Sequence, residues 1–196
     1  MSENDNGCLA ETQIPHVMID IETLGIQPGS VISAIGAVVF RPWLAPDHAD
    51  FIVEAQSSRI DISDAQKAGL TIDASTVQWW FRQSPEAIAA TFNGETEPLF
   101  FALLKLAAFI DQYDSPTIWA HSPSFDLVLL EAAYRAVNLK VPWKYHQARD
   151  TRTLFDVAGV VLSGFPVHGV KHDALSDAIN QANVVGHALQ LLECRE

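Results

Sequence analysis

Apolar positions along the chain fall into two periods, and their succession outlines a fold. Val17 to Thr23 alternates with period two, which predicts a strand showing Val17, Ile19 and Ile21 on one face and Asp20 and Glu22 on the other. Turn chemistry at 24–29, with Gly25, Pro28 and Gly29, leads to a long apolar run over 30–40 that predicts a second strand. Pro42 and Pro46 break the chain before a shorter third strand near 51–54. Three strands joined by short connections predict an antiparallel meander.

The middle of the chain turns helical. Helices are predicted over 61–69, 73–83 and 85–92, the last with Ser84 as N-cap and Pro85 at its first position. The segment 97–113 is apolar on all sides and is expected to pack deep, until Ser115 and Pro116 stop it. A short central strand over 117–121 precedes an amphipathic helix over 125–137, marked by Leu127, Leu130, Tyr134 and Val137. A strand over 147–150 leads into a helix over 151–157 that Asp150 is placed to cap. After a loop from Gly164 to Gly169, Asp173 is placed to cap a last helix running through 192. This order predicts an α/β fold: a mixed five-stranded sheet, with an antiparallel meander and two strands parallel to the first, flanked by helices on both faces. Residues 1–14, polar and without periodicity, read as a flexible tail, and 15–196 as a single domain.

Composition narrows the class. With 48% hydrophobic and 18% charged residues, the 196-residue chain reads as an ordinary soluble protein with one sizeable core. Cys8 and Cys194 lie near opposite ends without metal or disulfide spacing, which fits a reducing cytoplasmic compartment. The most apolar run, Leu99 to Leu104, is cut by Lys105, so neither a membrane span nor an export signal is expected. A net charge of −12 argues against gripping long nucleic acid by bulk electrostatics. Yet Arg135, Lys140, Lys144, Arg149, Arg152 and Lys171, against only Asp150 and Asp156, give a local balance of +4. That stretch reads either as a phosphate-facing surface or as a solvated helix and loop face.

The candidate chemistry starts at Asp20 and Glu22. Two carboxylates about 4 Å apart on a central strand repel by roughly 4 kcal/mol at an effective dielectric near 20, and a divalent cation converts that penalty into binding. With 24 acids in the chain, such a triplet arises roughly three times by chance, so partners elsewhere must carry the argument. Asp126 opens a helix, where an acid is also favoured simply by free N–H groups and the helix dipole. His172 precedes the last helix and Asp177 lies inside it, a step that lets both address one cavity.

Together these stretches carry a family resemblance. His16-Val-Met-Ile-Asp-Ile-Glu-Thr-Leu-Gly25, Ser124-Phe-Asp126 and His172-Asp-Ala-Leu-Ser-Asp177 resemble the three exonuclease motifs of the DEDDh superfamily, which includes RNase T, oligoribonuclease and polymerase proofreading subunits. Thr76-Val-Gln-Trp-Trp-Phe-Arg-Gln83, Pro142-Trp-Lys-Tyr145 and Arg149-Asp-Thr-Arg-Thr-Leu154 further resemble a compact RNase T-like branch found in phages and bacteria. The resemblance implies an RNase H-like fold and a 3′-to-5′ exonuclease that releases nucleoside 5′-monophosphates from 3′ ends of single-stranded DNA or RNA. It implies two Mg2+ or Mn2+ ions on Asp20, Glu22, Asp126 and Asp177, with His172 as general base. Nearby carboxylates are expected to raise the pKa of His172, and the metals and Lys171 to lower it.

Other positions keep two readings. Thr23, Leu24 and Gly25 match places where relatives contact the terminal nucleotide, against plain loop packing. Trp79 or Trp80, but not both, could stack on a base, since adjacent helical positions diverge by about 100°. Asp150 and Asp173 read as caps rather than ligands. Relatives commonly place Gly and Asn after the Trp of the fourth strand, whereas this chain has Ala120 and His121, and His121 reads by default as a core histidine. Some relatives are homodimers that share substrate contacts, which the basic stretch could serve. The competing reading is a non-catalytic nucleic-acid-binding protein on the same fold.

Overall fold

The computed structural model describes residues 14–194, so the expected tail lies almost wholly outside the described residues. Among these residues five strands form one mixed sheet, β1 (His16–Thr23), β2 (Ile32–Phe40), β3 (Ile52–Arg59), β4 (Thr117–Ala120) and β5 (Ala148–Asp150). Their spatial order is β3-β2-β1-β4-β5, with β1 central. β1 pairs antiparallel with β2 and parallel with β4, and β5 continues the parallel half. The parallel pairing brings the C-terminal ends of β1, β4 and β5 to the same edge, where α/β sheets offer loops for chemistry.

Among the described residues, seven α-helices accompany the sheet: α1 (Ile62–Lys67), α2 (Ala74–Trp80), α3 (Pro85–Phe92), α4 (Leu99–Asp111), α5 (Asp126–Ala136), α6 (Thr151–Ala158) and α7 (Ala174–Glu193). The period of β1 sorts them onto two faces. Val17, Ile19 and Ile21 join a core completed by Leu103 and Leu106 of α4 and by Leu127 and Leu130 of α5. Met18 faces the other way, into a core with Phe155 of α6 and Ala178, Ala182 and Val185 of α7. Asp20 and Glu22 therefore emerge on the α7 face, two and four positions beyond Met18.

Two expectations need correction. The third strand runs to Arg59, well past 54, because its second half (Gln56, Ser57, Ser58) is an edge strand held by ladder bonds to β2 and has no apolar alternation to announce it. The helix over 97–113 is not buried all round: Leu99, Leu103 and Leu106 face the core, whereas Phe101 is 54% and Leu104 45% exposed. One stripe is all a helix lying on a sheet can bury. The capping expectations hold, with Ser84, Asp150 and Asp173 each accepting a backbone N–H at the start of their helices. Among the described residues, no helix is long and apolar enough to cross a membrane.

Candidate active site

The site is assembled where α7 meets β1. Asp20 lies opposite Gly36 in the antiparallel register, and a Cβ at Gly36 would collide with the backbone of Ala174 and Leu175. A glycine there lets the first turn of α7 rest directly on the sheet beside the acids. That turn is fixed by Asp173, whose carboxylate accepts from the N–H of Ser176 at 3.0 Å and from its hydroxyl at 2.6 Å. His172 sits just before it with a left-handed φ of 64°, a conformation uncommon for a side-chain-bearing residue. Two bonds hold it there: its N–H donates to Oδ2 of Asp177 at 2.9 Å, and its carbonyl accepts from the Thr91 hydroxyl at 2.8 Å.

All five predicted residues meet. Asp20, Glu22, Asp126, His172 and Asp177 line one cavity of about 1180 Å³. One donor atom from each of Glu22, His172 and Asp177 lies within 4.8 Å of the others. Asp20 and Asp126 complete the acidic wall beside this trio. For Asp126 both readings apply, since its Oδ2 accepts from the Ser122 N–H at 3.2 Å at the helix start while it faces the cavity.

Crowding and burial govern the ionisation of these groups. Desolvation first, then Asp177 and Asp126, push Glu22 up to about 8. Desolvation, followed by repulsion from Asp126, Glu22 and Asp177, raises Asp20 well above the usual carboxylate range, with only the Gln181 hydrogen bond opposing. Burial raises Asp126 to about 7 against its backbone N–H donors and Arg152. Asp177 is raised for the same leading reason, burial. A divalent cation among these oxygens would stabilise the ionised forms that burial penalises, and carboxylates with one imidazole suit a hard cation. For His172 the dominant effect is one not expected from the sequence: desolvation lowers its pKa, with Lys171 adding to the shift and Asp177 opposing it.

A second cavity of about 490 Å³ adjoins the first, sharing Ile21, Glu22 and Phe125 with it and lined further by Thr23, Trp79 and Arg82. Trp80 is core, its indole N–H donating to the Thr23 carbonyl at 2.9 Å, whereas Trp79 is 40% exposed and meets the His172 ring edge-on at 5.0 Å. Thr23 also turns its hydroxyl inward, to the Gly25 carbonyl at 2.8 Å. Leu24 is buried in the core, and Gly25 packs against Ser30 where a Cβ would collide. Neither Leu24 nor Gly25 is among the residues lining the two cavities.

The family model of the Rv2179c-like 3′-5′ exoribonuclease domain matches residues 15–189. The chain belongs to this family. It is similar to an exodeoxyribonuclease of Enterobacteria phage T4, at 24% identity over 89% of this chain and 90% of the relative. Its fold is that of the nuclease domain of 3′hExo, a DEDDh family member solved with rAMP, at a TM-score of 0.59 and 13% identity over 92% of this chain and 94% of that one. A full-length 3′-exonuclease aligns at a TM-score of 0.55 and 12% identity, over 91% and 82% of the two chains. The Rv2179c-like domain described here is thus a 3′-to-5′ exonuclease, a hydrolase that shares its RNase H-like fold with the DEDDh nuclease 3′hExo.

Three site residues escaped the sequence reading. Gln181 donates its amide to Oδ1 of Asp20 at 2.8 Å; its place one helical turn after Asp177 was the available signal. Asn180 clamps the loop before His172 by bonding both the N–H and the carbonyl of His168 at 2.9 Å. Gly36 gave no signal beyond being a glycine in an apolar strand. The basic stretch divides: Arg152 and Lys171 line the larger cavity, whereas Arg149 donates to the neighbouring carbonyls of His146 and Ala148 and Arg135 lies 3.8 Å from Glu131.

Proposed function

We propose that this domain, spanning 15–196, removes nucleotides one at a time from the 3′ ends of single-stranded DNA or RNA and releases nucleoside 5′-monophosphates. The observation that carries this reading is the convergence of Asp20, Glu22, Asp126, His172 and Asp177 on one cavity, with donor atoms of three of them within 4.8 Å. Asp20, Glu22, Asp126 and Asp177 would hold two Mg2+ or Mn2+ ions. Bound ions of this kind supply charge neutralisation at the phosphate and a more acidic water.

The chain's own residues do the rest. His172, kept neutral by desolvation, takes the proton of the attacking water, and its backbone bonds to Asp177 and Thr91 fix the ring's starting point. Trp79 offers its exposed face to the terminal base, and Thr23 supplies a wall of the smaller cavity. Leu24 and Gly25 shape the turn that carries Thr23 and so act on the terminal nucleotide from behind. A cavity of about 490 Å³ with mainly apolar walls suits a single nucleoside.

The test compares end-labelled linear single strands of DNA and RNA with circular single strands, with Mg2+ or Mn2+ present. Mononucleotides appearing from the 3′ end, with circles left intact, is the expected result. Oligonucleotides released from circles would overturn the exonucleolytic reading.

A further inference from the structure

One buried polar atom beside the acids lacks a partner. Gln181 is 5% exposed and lines the larger cavity. Its Nε2 donates to Oδ1 of Asp20 at 2.8 Å, but its Oε1, also buried, accepts nothing among the described residues. Ser33 Oγ and Gln56 Nε2 share that condition, yet neither residue lines either cavity. Buried polar atoms almost always have a partner, so an orphan at the wall of a site marks a place where a ligand or its water belongs.

The helix and the acid together aim this side chain. Gln181 follows Asp177 by one turn of α7, and side chains on a helix lean toward its N-terminus, so Gln181 reaches back over the acidic end of β1. The amide has one workable orientation. Turned over, Oε1 would stand against Oδ1 of an ionised Asp20 with no proton between them. The carbonyl is therefore the end left free for something other than Asp20.

Resting on the metal-site reading above, we propose that Gln181 is a positioning residue for the cation. Its amide N–H fixes Asp20 through Oδ1, and its Oε1 accepts a hydrogen bond from a water that the cation carries. The chemistry on both sides agrees. An amide carbonyl only accepts, and a water on a divalent cation is a strong donor; Mg2+ in particular keeps several of its waters when it binds through carboxylates. With Oδ1 held by the amide, the carboxylate of Asp20 cannot rotate and its Oδ2 remains for the ion. A neutral donor does this without cancelling the charge that attracts the cation, as Lys or Arg in its place would.

The test is Mn2+ binding without nucleic acid, measured by calorimetric titration of the folded protein. Gln181→Met is close in size but neither donates nor accepts, and Gln181→Asn keeps the amide one methylene too short. Both should weaken Mn2+ by about 10–100-fold, the range for partners just outside the ligand shell of a metal. The Mn2+ concentration giving half-maximal turnover should move by the same factor. Unchanged Mn2+ affinity in a variant with a lowered metal-free melting temperature would assign Gln181 to the fold alone and overturn the proposal. Gln181→Asn carries the titration should Gln181→Met fail to fold. Wild-type crystals soaked in Mn2+ then decide what Oε1 does: an oxygen coordinated to the ion should lie within hydrogen-bond distance of it. An Oε1 bonded only to a water away from the ion, or ligating the ion directly, overturns the proposal. No Mn2+ uptake by wild type at millimolar concentration would sink the metal-site reading itself, and this inference with it. Uptake by wild type and by both variants with equal affinity would sink this inference alone.

Discussion

At the N-terminal end of β1, His16 accepts the indole N–H of Trp119 through Nδ1 at 2.9 Å and meets the edge of Phe40 at 5.5 Å. At the other end of the same strand, Asp20 and Glu22 face Asp126 and Asp177 across a cavity. Burial disfavours the charged form at both ends. It lowers His16 to about 4, helped by Arg149, and raises Glu22 to about 8. The difference lies in the partners. His16 is neutral and meets a complementary donor, whereas the acids chiefly meet one another. A buried titratable group that its neighbours complete is part of the structure; one that its neighbours repel marks where an outside ligand completes the arrangement.

The strongest way to break this comparison is to remove the conflict at the acidic end. Asp20→Asn keeps an oxygen for the Gln181 amide while deleting one of the crowded charges. Turnover should fall by at least about 10³-fold, the order seen when a preorganised charge-stabilising group is lost. The metal-free melting temperature at pH 8 should rise. A fall in both would mean that the acids support the fold rather than oppose it.

Gly36→Ala attacks the same end without touching a charge. The added methyl would run into the Ala174–Leu175 backbone and push the start of α7 off the sheet, taking His172 and Asp177 along. Overpacking of this kind costs about 1–3 kcal/mol, and a displacement near 1 Å costs roughly 10²-fold in rate. Denaturant unfolding and kcat should both report it. Unchanged kcat with lowered stability would uncouple the glycine from the site.

How much of this was readable in advance follows from the physics of each feature. The acids of β1 stood out because period two places them on one face, and the caps at Ser84, Asp150 and Asp173 because short polar side chains compete for free N–H groups at helix starts. The polar half of β3 was invisible because its bonds are backbone bonds, which any sequence can make. Gly36, Gln181 and Asn180 act across more than ten residues of separation, through contacts that exist only once α7 lies on the sheet. The dominant cause of the His172 shift, loss of solvent, is likewise a property of the assembled cavity and not of the residues next to it in sequence.

The opposed ionisations make pH a probe that separates the two ends. Glu22 and Asp126 have folded pKa values raised to about 8 and about 7, so the metal-free protein holds more protons than its unfolded chain between the ordinary carboxylate range and those values. Stability from these acids is complete below that range and is lost as pH rises through 7 to 8. Millimolar Mg2+ or Mn2+ should reverse the trend, because the ions bind the deprotonated forms, and at about 100 times the dissociation constant they add about 2.7 kcal/mol. Melting curves with and without metal should therefore diverge as pH increases from 6 to 8. Curves that stay parallel across that range would remove the cluster's role as a cation site.

The paired end should respond with the opposite sign and a smaller size. His16 has its folded value lowered from 6.5 to about 4, so its contribution is present above 6.5 and is lost as pH falls towards 4. Trp119→Phe keeps a ring in the core but removes the N–H that Nδ1 accepts, at a cost of about 1 kcal/mol. Because that bond exists only with the neutral imidazole, the gap between wild type and variant should be widest above pH 6.5 and close as His16 protonates. Turnover at neutral pH should stay at the wild-type value, since neither residue lines the two cavities. A variant that loses activity while keeping its acid stability would tie the two ends of β1 together, and the separation between a completed and an uncompleted end would no longer hold.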